Sequence, residues 1–477
     1  MKKRKLSLDY ILYPSSIAVI GASGDPFKWG SMLLSSILNG GFNGKVYPIN
    51  PTEDEVKGLK CYPRVTDVPE AVDLAIVVVP LPVVPQVIGD CVEKGVRGAV
   101  IITSGFSEAG EEGKRLQEEI VRIAKKGGIR LVGPNCMGIC SSPSKLSALM
   151  IPFLYEGGNV AFISQSGGYG MQLYLRAMSA GVGISKFISS GNEADLTCTD
   201  YLEYFAEDEE VRLIALYLEG IRNGRRFLET AREVVKKKPI VVIKVGRTEM
   251  GSRAAASHTG AIAGSDRIYD AAFKQAGVIR TSNAEEMFDV IKALLYCPLP
   301  KGNRIGVITN SGGIGVETAD SCVELGFQLP ELPSKTQEEI MRYVPPFANP
   351  RNPVDITASL NMEAFLKVPE IVLADENIDA AITLGLGISV MQTLFPGTPR
   401  EAFLQIFKSL SERLIGTYKK SGKPVLVINP AADIESEAVK ILEESGVPVY
   451  LTPERAAKAM AALYRYKLAL DRLKAVD

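Results

Sequence analysis

Short apolar runs rich in Val and Ile, each closed by a turn and followed by a helical pattern, recur along the whole chain. They constrain its fold more than any other feature. SIAVIGAS, KVYPINP, DLAIVVVP, GAVIITSG and RLVGPN fill residues 16–135. VAFISQSGG, ISKFISSGN, RLIALYLEGI and KPIVVIKVGR carry the pattern to residue 247, and RIGVITNSGG, DAAITLGLGI and KPVLVINP occupy the last third. A strand that is apolar at every position is buried on both faces, which happens when helices cover both sides of a parallel sheet. With 477 residues the chain has room for about three domains. The expectation is α/β throughout: a Rossmann-like domain at 1–146, then two flavodoxin-like, doubly wound domains at 147–298 and 299–477. The boundaries are placed at two Pro-bearing polar stretches, CSSPSK near residue 141 and CPLPKGN at 297–303.

The middle and final thirds read as one unit used twice. ISQSGGYG (163–170) matches ITNSGGIG (308–315), and KPIVVIKVGR (238–247) matches KPVLVINPAA (423–432). GVIRTSNAEEMFDVIKALL (277–295) matches GVPVYLTPERAAKAMAALY (446–464) with one residue inserted. Three matches in the same order point to duplication rather than to the general likeness of βα units. The copies differ where chemistry would sit. The first has Glu219 after the strand LIALYL where the second has Gly387 or its neighbour, and only the first has a histidine.

Charge and composition exclude several classes. Lys and Arg number 54 against 55 Asp and Glu, a net charge of −1, so nothing points to nucleic acid or an anionic membrane as partner. The apolar stretch in MKKRKLSLDYIL is too short for a secretory signal and lacks a small-residue cleavage site. No apolar run is long enough to span a membrane, and the cytoplasm is the expected location. Seven widely spaced cysteines do not form a disulfide framework. Cys136 and Cys140 form the one close pair, and with one histidine in the chain a zinc site is not supported, so most of the thiols read as buried.

That one histidine, His258, lies in GRTEMGSRAAASHTGAIAGSD (246–266), directly after the strand IVVIKV. Small side chains pack little, so the loop is free to move. Imidazole is nucleophilic at neutral pH and can hold a phosphoryl group. A phosphohistidine carries about two negative charges and needs a cradle. Two turns offer one: Gln165, Ser166, Gly167 and Gly168, and Asn310, Ser311, Gly312 and Gly313, each between a strand and a helix. Free N–H groups at a helix start bind phosphate, and glycine lets the backbone approach it. The two turns are expected to converge on one phosphate. Glu219 ends a strand and could accept the imidazole Nδ1–H, fixing the tautomer.

The opening SIAVIGASGDPFKWG suits a nucleotide pyrophosphate, with Gly21, Ser23 and Gly24 in the turn and with Lys28 either meeting a phosphate or standing in solvent. It is not G-x-G-x-x-G, and the second strand ends at Asn50 rather than at the acid that holds an NAD ribose, which argues against an NAD-linked oxidoreductase. Val79 and Pro80, and the run Thr103, Ser104, Gly105, Phe106, would line the same crevice. Trp29, the single tryptophan, reads as a packing residue.

VIGAS, DLAIVVVP, ITSGFSE, GPNCMGI, SQSGG, SSGNEADL, SHTGA and NSGG follow one another in an order that resembles the NDP-forming acyl-CoA synthetases, relatives of succinyl-CoA synthetase, from about residue 8 to the C-terminus. The resemblance implies an acid–thiol ligase of the ADP-forming acetate–CoA type. Acyl-CoA and phosphate give an acyl phosphate and CoA, a histidine takes the phosphoryl group, and its loop swings to a separate nucleotide site where ADP becomes ATP. By position His258 is the phosphorylated residue, Glu219 its supporting glutamate and Asn135 the asparagine near the acyl group. Ser166 to Gly168 and Ser311 to Gly313 match the phosphate-binding helix starts, and the first-domain crevice is implied to hold CoA. No G-x4-G-K-[ST] occurs, and the three domains use up the length. A separate ATP-grasp β subunit is therefore expected, in an α2β2 heterotetramer that binds ADP or ATP and Mg²⁺ mainly on β. A CoA-binding regulatory relative would be expected to lose the histidine, whereas SHTGA is intact here.

Overall fold

The protein is described by a computed structural model that covers residues 7–151, 157–253, 265–357, 361–385, 397 and 399–475. It divides into two compact units, Met1–Ala284 and Glu285–Asp477.

The apolar runs are strands. In chain order the first five long ones, with a small hairpin between them, are β1 (Ser16–Ile20), β2 (Lys45–Ile49), β3 (Glu55–Val56), β4 (Leu59–Lys60), β5 (Leu74–Val77), β6 (Gly98–Ile101) and β7 (Arg130–Val132). The first sheet runs β2-β1-β5-β6-β7, all parallel. The next strands are β8 (Gly138–Ser141), β9 (Leu146–Leu149), β10 (Val160–Ser164), β11 (Ile184–Ser189), β12 (Leu213–Leu218), β13 (Ile240–Lys244) and β14 (Ile279–Thr281). The second sheet runs β14-β13-β12-β10-β11-β8-β9. Its first five are parallel, while β8 and β9 extend the β11 edge in antiparallel fashion. The second unit holds β15 (Ile305–Thr309), β16 (Val354–Asp355), β17 (Ala380–Leu384), β18 (Val425–Ile428) and β19 (Val449–Tyr450), in the parallel order β16-β15-β17-β18-β19.

Counted within each sheet, the five parallel strands always take the order 2-1-3-4-5, that of flavodoxin-like sheets. The duplication read from sequence falls on equivalent places. ISQSGG and ITNSGG end the first strands β10 and β15, the KP segments are the fourth strands β13 and β18, and the GV segments are the fifth, β14 and β19. Every residue of β1, β5, β10, β12 and β13 is buried, as the unbroken apolar runs require.

Residues 138–149 join the second sheet, so the change of sheet lies between Val132 and Gly138 and position 146 falls within β9. The later break comes between residues 284 and 285, which places the helix Ala284–Tyr296 in the second unit from its second residue on. That helix is tied to the helix Pro453–Lys474 by a buried ion pair. Arg455 Nε and Nη2 donate to Asp289 Oδ2 and Oδ1 at 2.6 and 2.8 Å, and Asp289 is 2% exposed.

Burial pushes the Asp289 carboxyl above its ordinary value, against the opposing pull of Arg455. The folded state therefore holds that proton more tightly than the unfolded chain, and this part of the stability is lost as pH rises. Replacing Arg455 by Met strands the carboxylate and should cost about 3–5 kcal/mol at neutral pH. Acidification toward pH 5 should recover part of the loss. Urea unfolding with hydrogen-exchange readout over residues 453–474 checks this, and an equal deficit at both pH values would count against it.

Candidate active site

The loops at the carboxyl ends of the first two sheets meet around a cavity of about 640 Å³ in the first unit. The β1 turn contributes Trp29, and the loops after β5 and β6 contribute Val79, Pro80 and Ser104. The GPNC turn adds Asn135 and Met137, and the β10 turn adds Gln165 to Gly168. Chain segments far apart in sequence are thus gathered into one chamber, at the sheet edge where α/β proteins place ligands. Trp29 does not pack as expected: it is 55% exposed and lines this cavity, because Gly30 brings the helix Trp29–Asn39 directly onto the β1 turn. A Cβ on Gly30 would stand 1.8 Å from Gly21 O, so no other residue fits there.

The rest of the β1 turn is already occupied by the protein itself. Gly24 N–H donates to Glu53 Oε2 at 3.1 Å, Ser23 Oγ donates to Glu53 Oε1 at 3.3 Å, and Asn50 Nδ2 donates to Ala22 O at 2.7 Å. Glu53 was not singled out from sequence, since it stands beyond the end of β2. The absence of an acid at residue 50 does not leave this turn without one. Lys28 is the exposed N-cap residue of the helix. Gly105, at φ +102°, donates its N–H to Glu108 Oε1 at 2.6 Å. Gly21, Ser23, Gly24, Lys28, Asn50 and Gly105 are not among the residues lining the cavity.

The β10 turn is built as the start of the helix Gly167–Ser179. Ser166 is its N-cap residue in extended conformation, and its own side chain makes no capping bond. The first-turn N–H groups of such a helix point outward and attract anions. Nothing stands within 4 Å of where a Cβ on Gly168 would lie, so the approach is open. Gln165 faces the other way. Its Oε1 accepts from Glu219 N and Gly220 N at 2.6 and 3.0 Å, and its Nε2 donates to Gly220 O at 2.8 Å. The carboxamide clamps the end of β12 and so fixes Glu219, which is 9% exposed. The Glu219 charge acts on Tyr217, whose hydroxyl is pushed up to about 12, first by burial and then by that carboxylate. Burial holds the Lys244 ammonium below its usual range, against the opposing pull of Asp266 and Glu219. Lys244 ends β13, on the approach to the His258 segment, and sequence reasoning missed it because it reads as part of an apolar run. His258 itself, in residues 254–264, and Gly387 lie outside the described residues.

The second unit repeats the turn in detail. Thr309 Oγ1 donates to Ser311 O at 2.8 Å, as Ser164 Oγ donates to Ser166 O at 2.7 Å, and Ser311 is the N-cap residue of the helix Gly312–Glu324. One difference is electrostatic. A Cβ on Gly312 would stand 3.3 Å from Asp355 Oδ2, whereas the corresponding neighbour of Gly167 is the neutral Ser189 Oγ at 3.5 Å.

Cys136, beside Asn135, is buried, and burial pushes its thiol up to about 12, so it is no nucleophile. Among the described residues no cluster of three or more His, Cys, Asp or Glu is arranged to hold a metal ion. Among them, too, no helix is long and apolar enough to cross a membrane.

Three family models match the chain: a CoA binding domain over residues 15–142, a succinyl-CoA ligase like flavodoxin domain over 157–294, and a ligase-CoA domain over 305–474. The chain is similar to the α subunit of acetate–CoA ligase (ADP-forming) II of Pyrococcus furiosus, 46% identical over 96% of this chain and 97% of that one. It is 41% identical to the acetate–CoA ligase (ADP-forming) of Methanocaldococcus jannaschii, over 98% of this chain but only 64% of that longer one. A solved structure of the Ca. Korarchaeum cryptofilum dinucleotide forming acetyl-coenzyme A synthetase 1, in complex with phosphate and ADP, superposes with a TM-score of 0.88 at 42% identity, covering 98% and 99% of the two chains.

Glu193, in the loop after β11, is buried and accepts from Ser190 Oγ and Cys198 N, both at 3.0 Å. Burial pushes its carboxyl up to about 7, against opposing hydrogen bonds from Ser190 and Gln165 and the Arg222 charge. A pKa raised on folding stabilises below the unfolded value and loses that contribution as pH climbs through about 7. Relative to a Glu193→Gln variant, the parent should therefore lose about 1.4 kcal/mol per pH unit between about 5 and 7. Parallel stability profiles for the two proteins would refute the shift.

Proposed function

We propose how this chain works from the family to which it belongs, the α subunits of ADP-forming acetate–CoA ligases in the succinyl-CoA ligase superfamily. Its reaction class is acid–thiol ligation: acyl-CoA, ADP and phosphate interconvert with carboxylic acid, CoA and ATP. What carries the more detailed reading is the single cavity that joins Val79, Pro80, Ser104 and Asn135 of the CoA-binding domain to the Gln165–Gly168 helix start. A thioester delivered from one wall would meet a phosphate held on the other.

In this reading Gly21, Ser23, Gly24, Lys28 and Asn50 hold the nucleotide end of CoA. Val79, Pro80, Ser104 and Gly105 border its pantetheine arm. Glu53 must then exchange its bonds to Ser23 and Gly24 for a CoA hydroxyl or yield them to a phosphate. A phosphate oxygen attacks the thioester carbon. The C–O bond forms, the C–S bond breaks, and the sulfur leaves with its electron pair and takes up a proton. His258 then attacks the phosphorus of the acyl phosphate, and the P–O bond breaks to release the carboxylate. The helix start at Ser166 stabilises the charge in both steps. Glu219, clamped by Gln165, accepts the second imidazole N–H. Ser311 to Gly313 offer a like helix start, and with Asp355 at its mouth that turn suits an anion that brings a proton donor, as a phosphohistidine does.

The nucleotide step is assigned to a separate ATP-grasp β subunit in a cytoplasmic α2β2 assembly, with ADP or ATP and Mg²⁺ bound mainly there. In support, the chain matches 64% of the longer Methanocaldococcus jannaschii relative and leaves the remainder of that protein unmatched.

Exposure to acetyl phosphate should give one acid-labile phosphoryl adduct by intact mass, absent in His258→Asn. An adduct that persists in the variant would remove His258 from the mechanism. Because Trp29 is the single tryptophan, its emission should also shift saturably on CoA titration. A flat titration alongside CoA binding measured by calorimetry would move the pantetheine arm away from it.

A further inference from the structure

Asn192 sits in the loop after β11 and is 5% exposed. Its Nδ2 is 2.5 Å from Glu108 Oε2, 3.0 Å from Gln117 Oε1 and 3.3 Å from Ser107 Oγ. One of these, the Glu108 carboxylate at short range, is an obligate acceptor. An amide oxygen at that position would face it with repulsion, so the nitrogen must stand there. The other end of the Asn192 carboxamide is then an acceptor, and it takes Asn135 Nδ2 at 3.3 Å. Among the described residues the second N–H of Asn135 has no protein partner, and both asparagines line the 640 Å³ cavity.

The backbones that carry the two side chains are locked together. Asn192 N donates to Pro134 O at 2.9 Å, and Ala194 N donates to Gly133 O at 3.0 Å. Asn135 holds φ +58° and donates its own N–H to Thr103 O at 3.0 Å. Asparagine tolerates that left-handed conformation better than most residues. Glu108 also accepts the Gly105 N–H, so one carboxylate touches both the loop after β6 and Asn192.

We propose that Asn192 is a positioning residue that, anchored by Glu108, orients the Asn135 carboxamide so that its remaining N–H faces the thioester oxygen. This rests on the reading above that the acyl thioester lies in the cavity beside Asn135. When phosphate adds to the thioester carbon, the carbonyl π pair moves onto oxygen. When the adduct collapses, the C–S bond breaks and its pair leaves on sulfur. An N–H aimed at that oxygen stabilises the charge only while it exists, so it acts on kcat more than on KM. The carboxylate polarises Asn192 and strengthens its hold on Asn135.

The test follows CoA thiol release from acetyl-CoA, phosphate and ADP, using the full chain assembled with its partner subunit. Asn192→Asp sets two carboxylates against each other, and kcat should fall by about 10²-fold while KM for acetyl-CoA and for phosphate changes little. Adding Glu108→Gln, whose amide can donate to the new Asp, should restore most of the rate. In an Asn135→Ala background, Asn192→Asp should lower kcat no further. A variant that melts lower but keeps its kcat would make Asn192 merely structural. Multiplicative losses in the double variant would show that it does not act through Asn135. An unchanged kcat in Asn135→Ala alone would overturn the proposal and the assignment of Asn135 together, while leaving the His258 adduct as an independent test of the wider mechanism.

Discussion

Three backbone hydrogen bonds, from Asn192 to Pro134, from Ala194 to Gly133 and from Leu196 to Leu131, join the end of the first sheet to a loop of the second. The rest of the site depends on this seam. Gly191 is required there, because a Cβ would stand 2.2 Å from Pro134 O. The seam brings the crevice beyond β5 and β6 against the helix start beyond β10. Without it there would be two shallow edges; with it there is one chamber. Catalysis between two bound substrates gains most from this kind of fixed approach.

The chamber mixes polar and apolar surface without being strongly charged. One wall is a helix start with an open glycine, and the thiol of Cys136 is inert. The titratable groups stand behind the wall rather than in it. Glu193 and Glu219 both bear on Gln165, one through its side-chain hydrogen bond and the other through its backbone N–H. Gln165 therefore does two jobs at once, holding the β12 end while its own backbone leads into the cradle. A neutral amide suits that place, since a carboxylate there would repel a phosphate and an ammonium would trap it.

Duplication explains why the second unit has the same turn, down to the hydroxyl that caps Ser311 O. It also shows what divergence changed. The order of the strands persisted, and the central strands β10, β12 and β13 are buried on both faces. One strand end differs, with Asp355 where the first copy has Ser189.

Sequence alone determined the α/β class, the repeat, the turns at Ser166 and Ser311, and the family to which SHTGA and GPNC point. These are local: an unbroken apolar run, a glycine at a turn and a short motif all announce themselves within a few residues. Only the tertiary structure decided that residues 138–149 extend the second sheet, since an edge strand of mixed composition gains its partner from across the fold. It decided that Trp29 faces a cavity, because that follows from how closely Gly30 approaches Gly21. It brought Glu53 onto the β1 turn, set Glu193 and Lys244 in buried surroundings that shift their proton affinity, and joined Asn192 to Asn135 across 57 residues. Proton affinity and hydrogen-bond partnership depend on what lies nearby in space, and a linear pattern of side chains carries no record of that.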